Sequence, residues 1–367
     1  MTNAAASSQH GKVWFITGAS TGFGRLLAEY LCTLGATVIA TARDVSKLDN
    51  LTTRFPGNAI ILGLDVTKKA SIEGAVKDAL AHAGHIDVLV NNAGYGVTGA
   101  IEEVSEAEYM PMFETNVFGL ITLTKALLPQ FRERRSGNIV NLSSIGGLIG
   151  SPGWGYYNAT KFAVEGLSQA LAGELEPLGI KVTVVEPGPF RTDFLGRSGV
   201  EAKEIIPDYQ QSAGKAREYF QTQAGKQPGD PQRAVEAIVA AVSAPEPPKH
   251  LLLGKIALTR WRNQLEQWTT ELDTWEKVTV GADFLTALHL PPRRPTFIQP
   301  WPQGSLFTVY LFGRPTVWRV RLGVDSVSDY SLRGVISLKE NIWNSESLDW
   351  ARWAATWQSV CASPGIA

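Results

Sequence analysis

The residues of this chain best suited to chemistry stand in Gly153-Trp-Gly-Tyr-Tyr-Asn-Ala-Thr-Lys-Phe-Ala-Val-Glu-Gly166. Tyr157 and Lys161 are four apart, so a helix would hold a phenol and an ammonium group on one face. A free phenol has a pKa of about 10, and a neighbouring cation favours the phenolate, pulling the value toward the range useful for proton transfer. The same spacing on an exposed helix would have no catalytic meaning. What else the chain supplies decides between the two.

Composition excludes several classes. The chain has 367 residues, 19% charged residues and a net charge of −1, so no electrostatic case exists for nucleic acid or acidic surfaces. Its two cysteines, Cys32 and Cys361, make no metal cluster between them, and no metal site is expected. Cys32 falls in an apolar helical pattern where it packs, which fits a reducing compartment. Residues 1–10 lack the basic flank and apolar core of a secretory signal, and no run approaches a membrane span. A flexible N-terminus and a cytoplasmic location are expected.

The elements that must position the pair alternate. Lys12 to Thr17 reads as a strand ending in glycines, followed by a helical period through Leu26, Leu27, Tyr30, Leu31 and Leu34, then a second strand over 36–42. Strands near 59–64, 86–91, 137–142, 180–186 and 249–253 alternate with helices near 46–54, 69–83, 105–132, 153–177 and 230–243. This predicts a doubly wound α/β fold, a parallel seven-stranded sheet with helices on both faces and ligands beyond the carboxyl ends of the strands.

At the first such end stands Thr17-Gly-Ala-Ser-Thr-Gly-Phe-Gly24. Gly18, Gly22 and Gly24 allow a tight turn, close backbone approach to a pyrophosphate and close helix packing, with Ser20, Thr21 and Phe23 between them. The second strand ends at Ala42-Arg43-Asp44, about 20 residues on, where such folds read the adenosine ribose. Arg43 suits a 2′-phosphate and so NADP. A slip of one residue in register would put Asp44 there and favour NAD.

Together these motifs resemble the short-chain dehydrogenase/reductase family in its single-domain form, over residues 11 to about 285. The resemblance implies a nicotinamide-dependent Rossmann enzyme interconverting a carbonyl and an alcohol. It assigns Asp65 and Val66 to the adenine, and Asn91-Asn92-Ala93-Gly94 to the sheet and the cofactor's adenine side. Asn116 matches the family's helix asparagine, anchoring a water that links Lys161 to solvent. Ser144, thirteen residues before Tyr157, matches the catalytic serine, with Ser143 adjacent to it. Pro187, Gly188 and Thr192, in Glu186-Pro-Gly-Pro-Phe-Arg-Thr192, match the turn that meets the carboxamide. Lys161 would also hold the nicotinamide ribose. Pairing of the helices near 105–132 and 153–177 between subunits would make a homo-oligomer.

Hydride arriving at a carbonyl carbon puts negative charge on oxygen, so the site needs a proton donor and fixed hydrogen bonds there. Tyr157 is the donor and Ser144 the second hydrogen-bonding group. A long insertion, 193–228, reads as a substrate lid. With Tyr95, Ile145, Trp154, Phe190 and Phe194 it would build a partly apolar substrate pocket. After the Pro-rich linker 244–249, residues 254–277 carry Leu258, Trp261, Leu265, Trp268 and Leu272 on one helical stripe, expected to pack on the domain or line a dimer interface rather than meet a membrane.

Residues 286–367 form a C-terminal extension outside the resemblance, expected to be poorly ordered. It holds a possible hairpin over 307–322 and a short helix near 348–360, with six of the eleven tryptophans, a surface that could dock on the core or meet a membrane. The leading reading is an NADPH-dependent carbonyl reductase of a small to medium substrate. The alternatives are a non-catalytic NADP-binding sensor or scaffold, and a membrane-associated steroid or retinoid type dehydrogenase.

Overall fold

The computed structural model describes residues 9–196 and 198–284, and the backbone of 306–313 and 316–323. The chain divides into two units, residues 1–279 and 280–367. The first begins β1 (Val13–Ile16), α1 (Gly22–Thr33), β2 (Thr37–Ala42), α2 (Asp49–Arg54), β3 (Ala59–Gly63), α3 (Lys69–Ala83) and β4 (Val88–Asn91). It continues with β5 (Gly96–Thr98), α4 (Glu106–Phe113), α5 (Leu120–Arg134), β6 (Gly137–Leu142), α6 (Gly155–Leu175) and β7 (Ile180–Pro187). Then follow β8 (Gly199–Glu201), α7 (Ala213–Gln223), α8 (Pro231–Val242), β9 (His250–Leu253) and α9 (Lys255–Val280).

Seven strands form one parallel sheet in the order β3-β2-β1-β4-β6-β7-β9. Every residue of β1 is buried, as a central strand covered on both faces requires. Its alternate side chains serve two cores: Trp14 and Ile16 pack with Leu27, Leu31 and Ile238 of α1 and α8, while Val13 and Phe15 pack with Ile72, Leu123 and Phe131 of α3 and α5. The order reverses between β1 and β4, which opens a crevice at their carboxyl ends.

Three expectations change. Gln9, assigned to the flexible N-terminus, is buried: it accepts a hydrogen bond from the Trp14 indole (3.0 Å) and donates to Ser243 (2.7 Å). The single helix expected over 105–132 is two, α4 and α5, joined by a π turn over Glu114–Gly119. The lid is more regular than its composition suggested, since β8 pairs in parallel with β5 and α7 follows. Of the α9 stripe, expected to pack on the domain or line a dimer interface, Trp261 joins a core cluster with Ile145 and Leu148, while Leu258, Leu265, Trp268 and Leu272 are exposed in the single chain.

The second unit contains an antiparallel hairpin, β10 (Leu306–Gly313) with β11 (Thr316–Gly323), in the register Phe307 to Leu322. The short helix expected near 348–360 lies outside the described residues. Among the described residues no helix is long and apolar enough to cross a membrane.

Candidate active site

A cavity of about 1030 Å³ opens at the carboxyl ends of the strands. One end is built by the segment between β1 and α1. Gly18 has φ 64°, a conformation side chains disfavour. A Cβ on Gly24 would lie 2.6 Å from the Gly18 carbonyl and 2.5 Å from the Asn92 amide, so only glycine brings α1 this close. Thr21 caps α1 without a side-chain bond and the first turn holds no acid, leaving N–H groups for an anion. Gly18, Ser20, Thr21, Gly22 and Phe23 line the cavity, with Gly24 behind them.

Asn92 fastens that loop to β4. Its amide donates to the carbonyls of Thr17 (2.8 Å) and Gly18 (3.1 Å), while the Asn92 and Ala93 N–H groups each donate to Thr17 Oγ1 at 2.9 Å. Asn92, Ala93 and Gly94 all line the cavity. Asn91 turns into the sheet, donating to Thr124 and Asn141.

At the ribose end β2 stops at Ala42, and Arg43 and Lys47 line the wall. Asp44 is engaged elsewhere, capping the following turn through Ser46 (3.2 Å to N, 2.6 Å to Oγ) and pairing with Lys47 at 3.4 Å. Asp65 and Val66 line the cavity, although the Asp65 carboxylate also accepts from the Thr67 N–H (3.1 Å) and hydroxyl (2.7 Å). Across from them Pro187, Gly188 and Thr192 follow β7 into the cavity wall.

The residues expected to be catalytic meet where β6 ends. Tyr157 and Lys161 lie on the buried face of α6, with Lys161 Nζ 5.8 Å from the phenol ring centroid. Lys161 donates to the Leu142 carbonyl at 2.7 Å, which fixes the long side chain. Ser144 caps the turn after β6, accepting from the Gly146 N–H at 3.0 Å. Asn116 sits on the π turn, a distortion common at functional sites. There its amide brackets Tyr95, donating to its carbonyl (2.8 Å) and accepting from its N–H (3.0 Å), and also donates to Thr160 (3.1 Å). It braces the wall from behind and does not line the cavity.

The electrostatics differ from the sequence expectation. Burial pushes the Tyr157 phenol up to about 12, opposed by a hydrogen bond with Ser144. Burial likewise depresses Lys161 to about 8, opposed by Glu165. The expected lowering of the phenol by Lys161 is outweighed because desolvation penalises both charged forms. Tyrosine as a neutral acid is therefore favoured in this state.

The substrate end is aromatic. Trp154, Tyr157 and Phe194 form a cluster with centroids 5.4–6.2 Å apart. Tyr95 and Ile145 line the cavity beside them. Phe190 also lines it, but lies edge-on to Phe23 at 5.4 Å and so walls the side of the glycine segment. The segment 193–228 adds Tyr219 and Gln227 to the lining, while sequence reasoning missed Lys47, Met110, Glu114 and Arg260, which also line the cavity. Arg260 reaches it from α9 and donates to Ser151 Oγ at 2.9 Å, a tertiary approach with no local signal in the sequence.

Comparison with known proteins agrees with this fold. The family model described as short chain dehydrogenase matches residues 12–202. Oxidoreductase BOA17 of Botryotinia fuckeliana is 36% identical over 272 residues, 74% of this chain and 99% of that protein. The 3-ketodihydrosphingosine reductase of Bacteroides thetaiotaomicron is 45% identical over 183 residues, 50% of this chain and 65% of the relative. A solved short-chain dehydrogenase from Streptomyces avermitilis is 46% identical with TM-score 0.70, covering 74% of this chain and 99% of that one. A Burkholderia phymatum short-chain dehydrogenase/reductase in complex with NAD is 25% identical with TM-score 0.64, covering 72% of this chain and 96% of that one. The chain belongs to the short-chain dehydrogenase/reductase family and is an NAD(P)-dependent oxidoreductase.

Proposed function

We propose that this protein is an NADPH-dependent reductase of small to medium, partly apolar ketones or aldehydes, with Tyr157 as the acid. The observation that carries the reading is one cavity holding Tyr157, Ser144 and Lys161 at one end and Arg43 with Lys47 at the other. The glycine segment fits a dinucleotide because a side chain at Gly18 or Gly24 would clash or strain the turn. The bound nicotinamide supplies the hydride. Ser144 and Tyr157 hydrogen-bond the carbonyl oxygen, and Tyr157 delivers the proton as charge develops there. Lys161 stands beside the phenol as the cation that offsets its lost proton, and Asn116 keeps Tyr95 and α6 in place. Arg43 and Lys47 supply positive charge for a 2′-phosphate, while Asp44, the residue that would favour NAD, is committed to its own turn. Trp154, Phe194 and Ile145 favour an apolar flank on the substrate. A relative named as a ketone reductase is in keeping with the direction.

The test is NADPH consumption with a panel of ketones and aldehydes, including long-chain and aromatic ones, repeated with NADH. Turnover preferring NADPH and lost in Tyr157→Phe is expected. Equal turnover by that variant would remove Tyr157 from the mechanism.

A further inference from the structure

The helix α9 carries a pattern that the site does not use. Leu258, Leu265 and Leu272 recur every seven residues, and Trp261, Trp268 and Trp275 each fall three residues later. Alternating steps of three and four trace one seam along a helix, the a and d positions of a heptad. The base of the seam is engaged: Ala257 is fully buried, and Trp261 packs with Ile145 and Leu148. From Leu265 to Val280 every residue is exposed in the single chain. Leu272 is 65% and Trp275 57% exposed, and Trp268 lies edge-on to Trp261 with ring centroids 5.7 Å apart.

A bare helical arm of about 16 residues is marginal in water even when built from good helix formers. This one holds Thr269, Thr270, Thr274, Val278, Thr279 and Val280, all β-branched and weak in helices. Its stability therefore calls for a partner that buries the seam.

We propose that the seam pairs with the same seam of a second copy of this chain, the two α9 arms running antiparallel as a short coiled coil. Antiparallel pairing sets a positions against d positions, so Leu265 faces Trp275 of the second copy and Trp268 faces its Leu272. Large against small fills the seam, whereas a parallel pair would set tryptophan on tryptophan and leucine on leucine. Charge favours the same choice. Flanking the antiparallel seam, Arg262 faces Glu276 of the second copy at both ends, and Glu271 meets its own copy once. In a parallel pair Glu271 would face Glu276 of the second copy twice, with no opposite charges to offset them. A lipid surface suits the arm less well, because between Leu265 and Val280 it carries Glu266, Glu271, Asp273 and Glu276 against the one cation Lys277.

The experiment is analytical ultracentrifugation of the full chain over a range of concentrations, with cross-linking of cysteine variants by a short bismaleimide. Thr269 faces its own copy at the middle of the antiparallel pair, so Thr269→Cys should link two chains. Thr279→Cys should not, because the two copies of residue 279 would be roughly 27 Å apart along the helix axis. Wild type, whose Cys32 is buried, gives the background. Leu272→Glu changes an exposed side chain and should raise the dissociation constant at least about tenfold, with cofactor binding retained as the sign of a folded domain. Glu276→Arg should weaken association, and Arg262→Glu added to it should restore it. Linking at Thr279→Cys instead of Thr269→Cys, with Glu276→Arg tightening association, would overturn the antiparallel arrangement. A wild type that stays monomeric, or an assembly that Leu272→Glu leaves intact, would overturn the pairing itself. Pelleting of such a monomer with vesicles of neutral and anionic phospholipid would then give the seam to a membrane.

Discussion

Lys161 is tied to the main-chain carbonyl of Leu142 at 2.7 Å, so the last residue of β6 fixes the Lys161 side chain beside Tyr157 on α6. The sheet and α6 thus share a bond at the proposed catalytic centre. Replacing Tyr157 by phenylalanine should lower kcat by about 10²–10⁴-fold, the usual worth of a general acid, while NADPH binding persists. Lys161 is depressed to about 8, so kcat/KM for reduction should fall as pH rises through that value and the ammonium is lost. Lys161→Met should remove that limb. Steady-state rates across the alkaline range check both.

Arg43→Ala should weaken NADPH more than NADH. A charged hydrogen bond is worth about 1.5–3 kcal/mol, so KM for NADPH should rise roughly 10- to 100-fold. Equal changes for the two cofactors would place the 2′-phosphate elsewhere.

Gly24→Ala should harm both cofactor affinity and stability. The new methyl would meet the Gly18 carbonyl at 2.6 Å, a backbone atom that cannot swing aside, and the Asn92 amide at 2.5 Å. Overpacking of this kind costs about 1–3 kcal/mol, readable in urea unfolding, and fluorescence titration with NADPH would show the loss of binding.

The helix α7, in the segment proposed as a lid, is latched by Arg217, which donates to buried Glu103 at 2.8 Å. Glu103 also accepts from the N–H groups of Ala100 (2.7 Å) and Ile206 (2.9 Å), so one carboxylate gathers three segments. Arg217→Met should cost about 3 kcal/mol by leaving that charge buried and unpaired. Raised KM for substrate with less change in KM for NADPH would show that the lid is what loosens.

Stability should carry the signature of Glu186. Its folded pKa is raised by burial, so between the ordinary carboxylate range and the raised value the native state binds more protons than the unfolded one. Stability from this group is therefore greatest at acid pH and falls as pH rises through that window. Glu186→Gln should flatten this slope in thermal unfolding measured from mildly acidic to mildly alkaline buffer.

Much of the site is legible locally. The glycine segment, Tyr157 with Lys161, and Arg43 at the end of β2 follow from spacing within single elements, while Ser144 and Pro187 enter through the family resemblance. The break at Asn116 does not. An apolar period over 105–132 reads as continuous helix, and the π turn shows only in the folded chain, where Gly119 lets the helix approach Val66 so closely that a Cβ would lie 2.7 Å from its carbonyl. The acidity of Tyr157 is misread because the sequence displays the cation but hides the depth of burial. Glu165, Glu186 and His250, whose side chains meet at the sheet edge, are invisible for another reason. They are united by the register of β7 against β9 and by the packing of α6 on the sheet, neither of which has a local pattern.

The lid is joined to the site by main-chain bonds as well as side chains. The Gly96 N–H donates to the Ser198 carbonyl at 2.9 Å and the Ala202 N–H to the Thr98 carbonyl at 2.8 Å, on either side of the β5 and β8 pairing. Opening of the segment proposed as a lid should therefore require unzipping a small sheet rather than swinging a flap. Exchange of the Gly96 and Ala202 amide protons with deuterium should then slow when a ligand occupies the cavity.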